Sequence, residues 1–107
     1  MTTPVFIYKG FEVSFRNEDG SVMVNATEMA RAFSKQPSDW FRQSSSKEFI
    51  DSLSFVRGIP VTELVTIKQG GNIQGTWMHE DVALEFARWL SPEFAIWCND
   101  RIKELMK

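Results

Sequence analysis

The stretch from Thr66 to Trp77, Thr-Ile-Lys-Gln-Gly-Gly-Asn-Ile-Gln-Gly-Thr-Trp, constrains the fold more than any other. A short β-prone run, Leu64-Val65-Thr66-Ile67, leads into a polar tip with Gly70, Gly71, Asn72 and Gly75. A second β-prone piece, Thr76-Trp77-Met78, leads out. Glycines supply the positive φ angles of hairpin turns and let a tip lie close against another backbone. The spacing therefore predicts a β-hairpin. Its tip carries Lys68, Gln69, Asn72 and Gln74 and no carboxylate, so it offers one cation, amide donors and backbone N–H groups. Such groups suit a phosphate backbone or base edges; an ordinary flexible surface hairpin is the plain alternative.

A hairpin needs something to pack on, and 107 residues are enough for one domain that buries roughly two-thirds of its unfolded surface. With 43% hydrophobic residues, four Trp and nine Phe, the composition supplies a core and is far from that of a disordered chain. Charges interrupt the apolar runs, so no membrane span is expected, and the first residues lack a signal-peptide layout. Cys98 is the only cysteine, which excludes an internal disulfide and leaves a Cys-based zinc site short of ligands.

A net charge of −2 argues against a polyanionic partner for the chain as a whole. The distribution says more. Residues 31–77 hold six basic side chains against four acidic ones, whereas 1–30 and 78–107 each carry two more acids than bases. The middle of the chain is the part that can present a basic face.

Val5 to Tyr8 and Phe11 to Arg16 read as strands joined at Lys9-Gly10, with Phe11, Val13 and Phe15 alternating with polar residues. A turn at Asn17-Glu18-Asp19-Gly20 leads into Ser21 to Val24, which completes an antiparallel meander. Asn25-Ala26-Thr27-Glu28 fits a capping box, so a helix follows and runs to about Phe33. Ser34-Lys35-Gln36-Pro37 breaks it; Ser38 is placed to cap a second helix, and Ser45-Ser46-Lys47-Glu48, a further capping box, predicts a restart or kink. Phe55 to Thr62 is read as a connector. Glu80-Asp81 opens a helix with the stripe Val82, Ala83, Phe86, Ala87 and Leu90. Ser91-Pro92-Glu93 opens the last one, with Phe94, Trp97, Cys98, Ile102 and Leu105 on one face.

Two short helices around a tight break, then a Gly-rich hairpin, have the layout of a winged helix-turn-helix, in which the second helix enters a major groove and the hairpin lies on neighbouring backbone. Lys35, Gln36, Ser38, Arg42, Gln43 and Lys47 then surround the helix opening. Arg and Lys suit guanine edges or phosphates, and Gln suits adenine. The fold class expected is α+β, a small antiparallel β-sheet with hairpins and about four helices.

Val24-Asn25-Ala26-Thr27-Glu28-Met29, Pro37-Ser38-Asp39-Trp40, Lys47-Glu48-Phe49-Ile50, Gln69-Gly70-Gly71-Asn72 with Gln74-Gly75-Thr76-Trp77, and Ala87 to Phe94 with Trp97-Cys98 together resemble the KilA-N domain. That family occurs in proteins of bacteriophages, prophages and large DNA viruses and is similar to the fungal APSES DNA-binding domain. The resemblance covers about residues 20–105 of a single domain spanning 1–107. It implies a cofactor-free DNA-binding domain of a transcription regulator or antirepressor, whose partner is double-stranded DNA, with a homodimer or further domains of a longer regulator alongside. The implied setting is the bacterial cytoplasm or nucleoid, or an infected host cell, with no membrane partner. Carried onto this chain, the DNA contacts are Lys35, Gln36, Ser38, Arg42, Gln43, Lys47, Lys68, Gln69, Gly70, Gly71, Asn72 and Gln74, with Trp77, Trp89 and Trp97 as packing residues. With Lys68 alone, this wing has fewer lysines than the related fungal ones. The end of the chain just after its last helix reads as an excised domain.

An enzyme is not expected. His79 is the only histidine and Cys98 lies on a buried-looking stripe, so a Cys-His nucleophile pair has no pattern behind it. Gly70-Gly71 lacks the Gly-Lys-Ser/Thr of a phosphate-binding loop, and no metal cluster can be assembled. The competing reading is a protein–protein interaction module of an antirepressor that does not bind DNA by itself. An exposed apolar patch would favour it, and a basic face joining Arg42, Lys47 and Lys68 would favour DNA.

Overall fold

The computed structural model describes residues 3–18, 20–68 and 75–106. The chain runs β1 (Val5–Tyr8), β2 (Phe11–Glu18), β3 (Ser21–Asn25), α1 (Ala26–Arg31), α2 (Pro37–Phe41), α3 (Ser44–Arg57), α4 (Val61–Leu64), β4 (Val65–Lys68), β5 (Gly75–His79), α5 (Glu80–Leu90) and α6 (Pro92–Leu105). No described helix is long and apolar enough to cross a membrane. The fold is α+β, as expected.

The five strands form one antiparallel sheet in the order β1-β2-β3-β5-β4. Lys9 and Gly10 both take positive φ, 49° and 88°, as a tight two-residue turn between β1 and β2 requires. The expected meander is present, but the sheet does not end with it. β3 pairs along its other edge with β5, placing Val24 opposite Met78 and Asn25 opposite Trp77, so the hairpin of β4 and β5 extends the same sheet. This pairing joins residues far apart in sequence, so no local periodicity announces it.

The pleat sorts the side chains onto two faces. Phe15, Val24 and Met78 lie side by side on the face that packs against α1, α5 and α6, and none is exposed. Met29, Phe86, Phe94 and Cys98 fill that layer. On the opposite face, the buried Arg16 guanidinium stands 4.8 Å from the Trp77 ring centre and pairs with Glu18. A cation over an aromatic face gains from the ring quadrupole, and the carboxylate offsets burial of the charge.

The helices between β3 and β4 differ from expectation at most of their ends. α1 stops at Arg31 rather than Phe33, because the chain folds back there: Lys35 N–H donates to Ala30 O at 3.0 Å and Ser34 takes φ 56°. α2 is not capped by Ser38. Its N-cap is Gln36, extended at φ −132° as a residue before proline must be, with Pro37 in the first turn, where its missing N–H is no loss. Asp39 Oδ2 accepts the Gln36 N–H at 3.1 Å. The restart does occur, but at Ser44 with Gln43 as N-cap, so the Ser45 to Glu48 pattern lies inside α3 and caps nothing. α3 then runs to Arg57 and closes at Gly58, φ 69°; the expected connector from Phe55 to Thr62 is instead the end of α3, a turn and the first half of α4. Leu64 ends α4 instead of opening the strand.

Candidate nucleic-acid interface

The sequence Asn25-Ala26-Thr27-Glu28 does more than start a helix. Asn25 Oδ1 accepts the Glu28 N–H at 3.1 Å, as a cap should. Glu28 Oε1 accepts the Ser14 N–H at 2.6 Å, tying the first turn of α1 to β2. Thr27 Oγ1 accepts the Thr76 N–H at 3.0 Å, tying it to β5. Gly75 lies so close that a Cβ there would stand 2.9 Å from Asn25 Oδ1, and its φ of 136° is one that side-chain-bearing residues avoid. The base of the hairpin is thereby pinned to the start of α1. Its orientation to the helix pair is set by packing and hydrogen bonds rather than by a loose loop.

Between these pinned parts is an open cleft of about 760 Å³. Thr27 and Arg31 of α1, Ser34 and Lys35 of the turn, Pro37, Ser38 and Phe41 of α2, and Ile67 and Thr76 of the hairpin are among its lining residues. Among the described residues, no carboxylate lines it. The cations around it also differ from those elsewhere. Lys9, Arg16, Arg42, Arg57, Arg88 and Arg101 are each paired with a carboxylate. Arg31, Lys35, Lys47 and Lys68 have no carboxylate partner among the described residues, and away from the cleft only Lys103 of the described cations shares that state. Arg31 and Lys35 line the cleft, Lys68 follows its lining residue Ile67, and Lys47 borders a neighbouring groove that shares Phe41 with it. Lys35 Nζ stands 4.4 Å from the Trp89 ring centre, so this half-buried Trp supports a cation at the rim besides packing on Phe86.

Of the residues expected to contact DNA, Lys35, Gln36 and Ser38 share the cleft. Gln43 is half-buried at the start of α3. Arg42 is exposed but held by Asp39 Oδ1 at 2.7 Å, so its charge is partly answered within the protein. Lys68 ends β4 opposite Gly75. Gln69, Gly70, Gly71, Asn72 and Gln74 lie outside the described residues. Arg42, Lys47 and Lys68, the basic face that would favour DNA, are not among the residues lining the cleft, and the cations that share it are Arg31 and Lys35. Arg31 is outside the set of expected DNA contacts. Its spacing of four from Lys35, with no acid between, was the available signal. Ser34 carried none, because its place in the cleft depends on the left-handed turn.

The two residues weighed for nucleophilic chemistry have other surroundings. Cys98 is fully buried, and burial pushes its thiol up from the ordinary 9.0 to about 12, so it stays protonated and unreactive near neutrality. His79 is the N-cap of α5, with Nδ1 accepting the Asp81 N–H at 3.2 Å.

Comparison with known proteins identifies relatives by sequence. A family model described as the KilA-N domain matches residues 6–107. Two KilA-N domain-containing proteins of Acanthamoeba polyphaga mimivirus are 30% identical over 92 residues and 31% identical over 97. Each alignment covers 83% of this chain and 27% of the relative, so the chain spans about a quarter of the length of these proteins. No solved structure matches it. With the family model matching nearly from end to end, the chain belongs to the KilA-N domain family.

Proposed function

We propose that the chain is a double-stranded DNA-binding domain, one module of a phage- or virus-type transcription regulator or antirepressor. KilA-N domains are in general DNA-binding. The observation that carries the reading to this chain is the contrast in charge pairing. Described cations distant from the cleft are neutralised by carboxylates except Lys103, while Arg31 and Lys35 on it and Lys47 beside it are free to exchange counterions for phosphates. In this reading the α1–α2 turn and α2 face the duplex, and the hairpin acts as the wing, its undescribed tip with Gln69, Asn72 and Gln74 lying on the adjacent backbone or groove.

The test is binding to mixed-sequence duplex DNA across a salt series, for the parent and for Arg31→Gln, Lys35→Gln, Lys47→Gln and Lys68→Gln. Lys103→Gln, on α6 and away from the cleft, is the control. Each cleft-side change is expected to weaken binding and to flatten the plot of log K against log salt by about 0.9, while the control leaves both unchanged. No binding by the parent at low salt, or equal effects from Lys103→Gln, would sink the reading. The second reading, a protein-binding module, draws on Phe55 and Val56, which are 89% and 71% exposed at the end of α3.

A further inference from the structure

α1 ends in an unusual way. Lys35 N–H donates to Ala30 O at 3.0 Å and Ser34 N–H donates to Arg31 O at 3.2 Å, the two bonds of a Schellman closure with Ser34 at the left-handed position. Glycine is the usual residue there, because a Cβ disfavours positive φ. The end of α3 gives an internal comparison: its left-handed residue, at φ 69°, is Gly58. Among the described residues, the other non-glycine residue with positive φ, Lys9, sits in a β-turn and pairs with Glu93. Ser34 has no such compensation. Its hydroxyl has no hydrogen-bond partner among the described residues, it is exposed, and it lines the cleft between the unpaired Arg31 and Lys35.

We infer that Arg31, Ser34 and Lys35 form an anion-binding turn that takes one backbone phosphate of bound DNA, with the Ser34 hydroxyl supplying a donor that glycine would lack. This rests on the DNA-binding reading and narrows it to one contact. Arg31 brings a planar guanidinium suited to two phosphate oxygens, and Lys35 a point charge already held over Trp89. The cost of the left-handed serine is then a feature of the site, stability given up locally for a hydroxyl at the cleft.

Two substitutions separate this from a merely structural turn. Ser34→Gly is expected to raise the melting temperature by about 2–6 °C while weakening duplex binding roughly tenfold. Ser34→Ala keeps the backbone cost and is expected to weaken binding as much with no gain in stability. If both variants bind duplex as the parent does, the turn is not a contact, and the DNA reading stands without it. A second arm needs no DNA: titration with inorganic phosphate, followed by backbone amide chemical shifts. Shifts at Ser34 and Lys35 in the parent that Arg31→Gln abolishes support the turn as an anion site, and their absence in the parent overturns it. Phosphate-dependent shifts without any duplex binding keep the turn and remove the DNA reading.

Discussion

α3 and α6 are both 14 residues long, and they do opposite things with their apolar side chains. α6 is capped by Ser91, whose Oγ accepts the Phe94 N–H at 3.3 Å, and it buries Phe94, Ala95, Cys98 and Ile102. α3 has no side-chain cap bond and no acid in its first turn, and it buries only Ser46 and Ile50. Phe49 and Leu53 are half covered and Phe55 projects into solvent. α6 is scaffold. α3 is held at its C-terminal end, by the Gly58 closure, by Ser54 Oγ donating to Ile59 O at 2.6 Å and by Arg57 on Asp81, while much of its surface stays free. The molecule thus divides into a deeply packed half, β-sheet with α5 and α6, and a thinly packed half that presents the cleft and its unpaired cations.

The largest test of that division is a deletion in the packed half. Phe86 is fully buried, touching Trp40 edge-on and stacking with Trp89. Phe86→Ala is expected to cost about 3–5 kcal/mol, measured by denaturant unfolding, a large part of the stability of a domain of this size. A loss below about 1 kcal/mol would mean that the packed half is not the source of stability, and the contrast with α3 would lose its basis.

An intermediate effect is expected where the halves join. Gly75→Ala places a methyl group against Asn25 at a backbone angle that alanine avoids, and about 2–3 kcal/mol is the expected cost. Because the clash falls on the residue that caps α1, the substitution should also loosen the hairpin. Amide exchange at Thr76, whose N–H is held by Thr27, should speed up more than exchange at Met78 in the sheet centre. Uniform acceleration at both would show that the hairpin and the sheet open together, with no separate hinge at its base.

The same division explains what the sequence made legible. Ser91-Pro92-Glu93 states its helix start in ordinary capping residues, and the stripe behind it is wide because the helix is buried. Gln36-Pro37-Ser38-Asp39 carries the same grammar with a rarer cap, so its proline reads as a breaker although it sits in the first turn just as Pro92 does. In α3 a well-formed capping pattern at Ser45 to Glu48 misleads, because the preceding turn at Arg42 and Gln43 starts the helix two residues earlier. The hairpin strands were readable from their composition. The β3–β5 pairing and the meeting of Arg31, Ser34 and Lys35 in one cleft were not, since both depend on backbone geometry between residues that no periodic pattern links.

The smallest expected effect is at Phe55, and it bears most directly on α3. An aromatic ring 89% exposed has almost nothing to lose from folding, so Phe55→Ser should change stability by no more than about 0.5 kcal/mol. Duplex binding should also stay as in the parent, because Phe55 is not among the residues that line the cleft. A clear fall in melting temperature would mean that the ring is covered in solution, and sedimentation at two protein concentrations would then tell whether a second copy covers it. With no change in either readout, α3 meets the cleft only through the neighbouring groove that Lys47 borders, and its far end is surface that the domain leaves free while its stability comes from the sheet, α5 and α6.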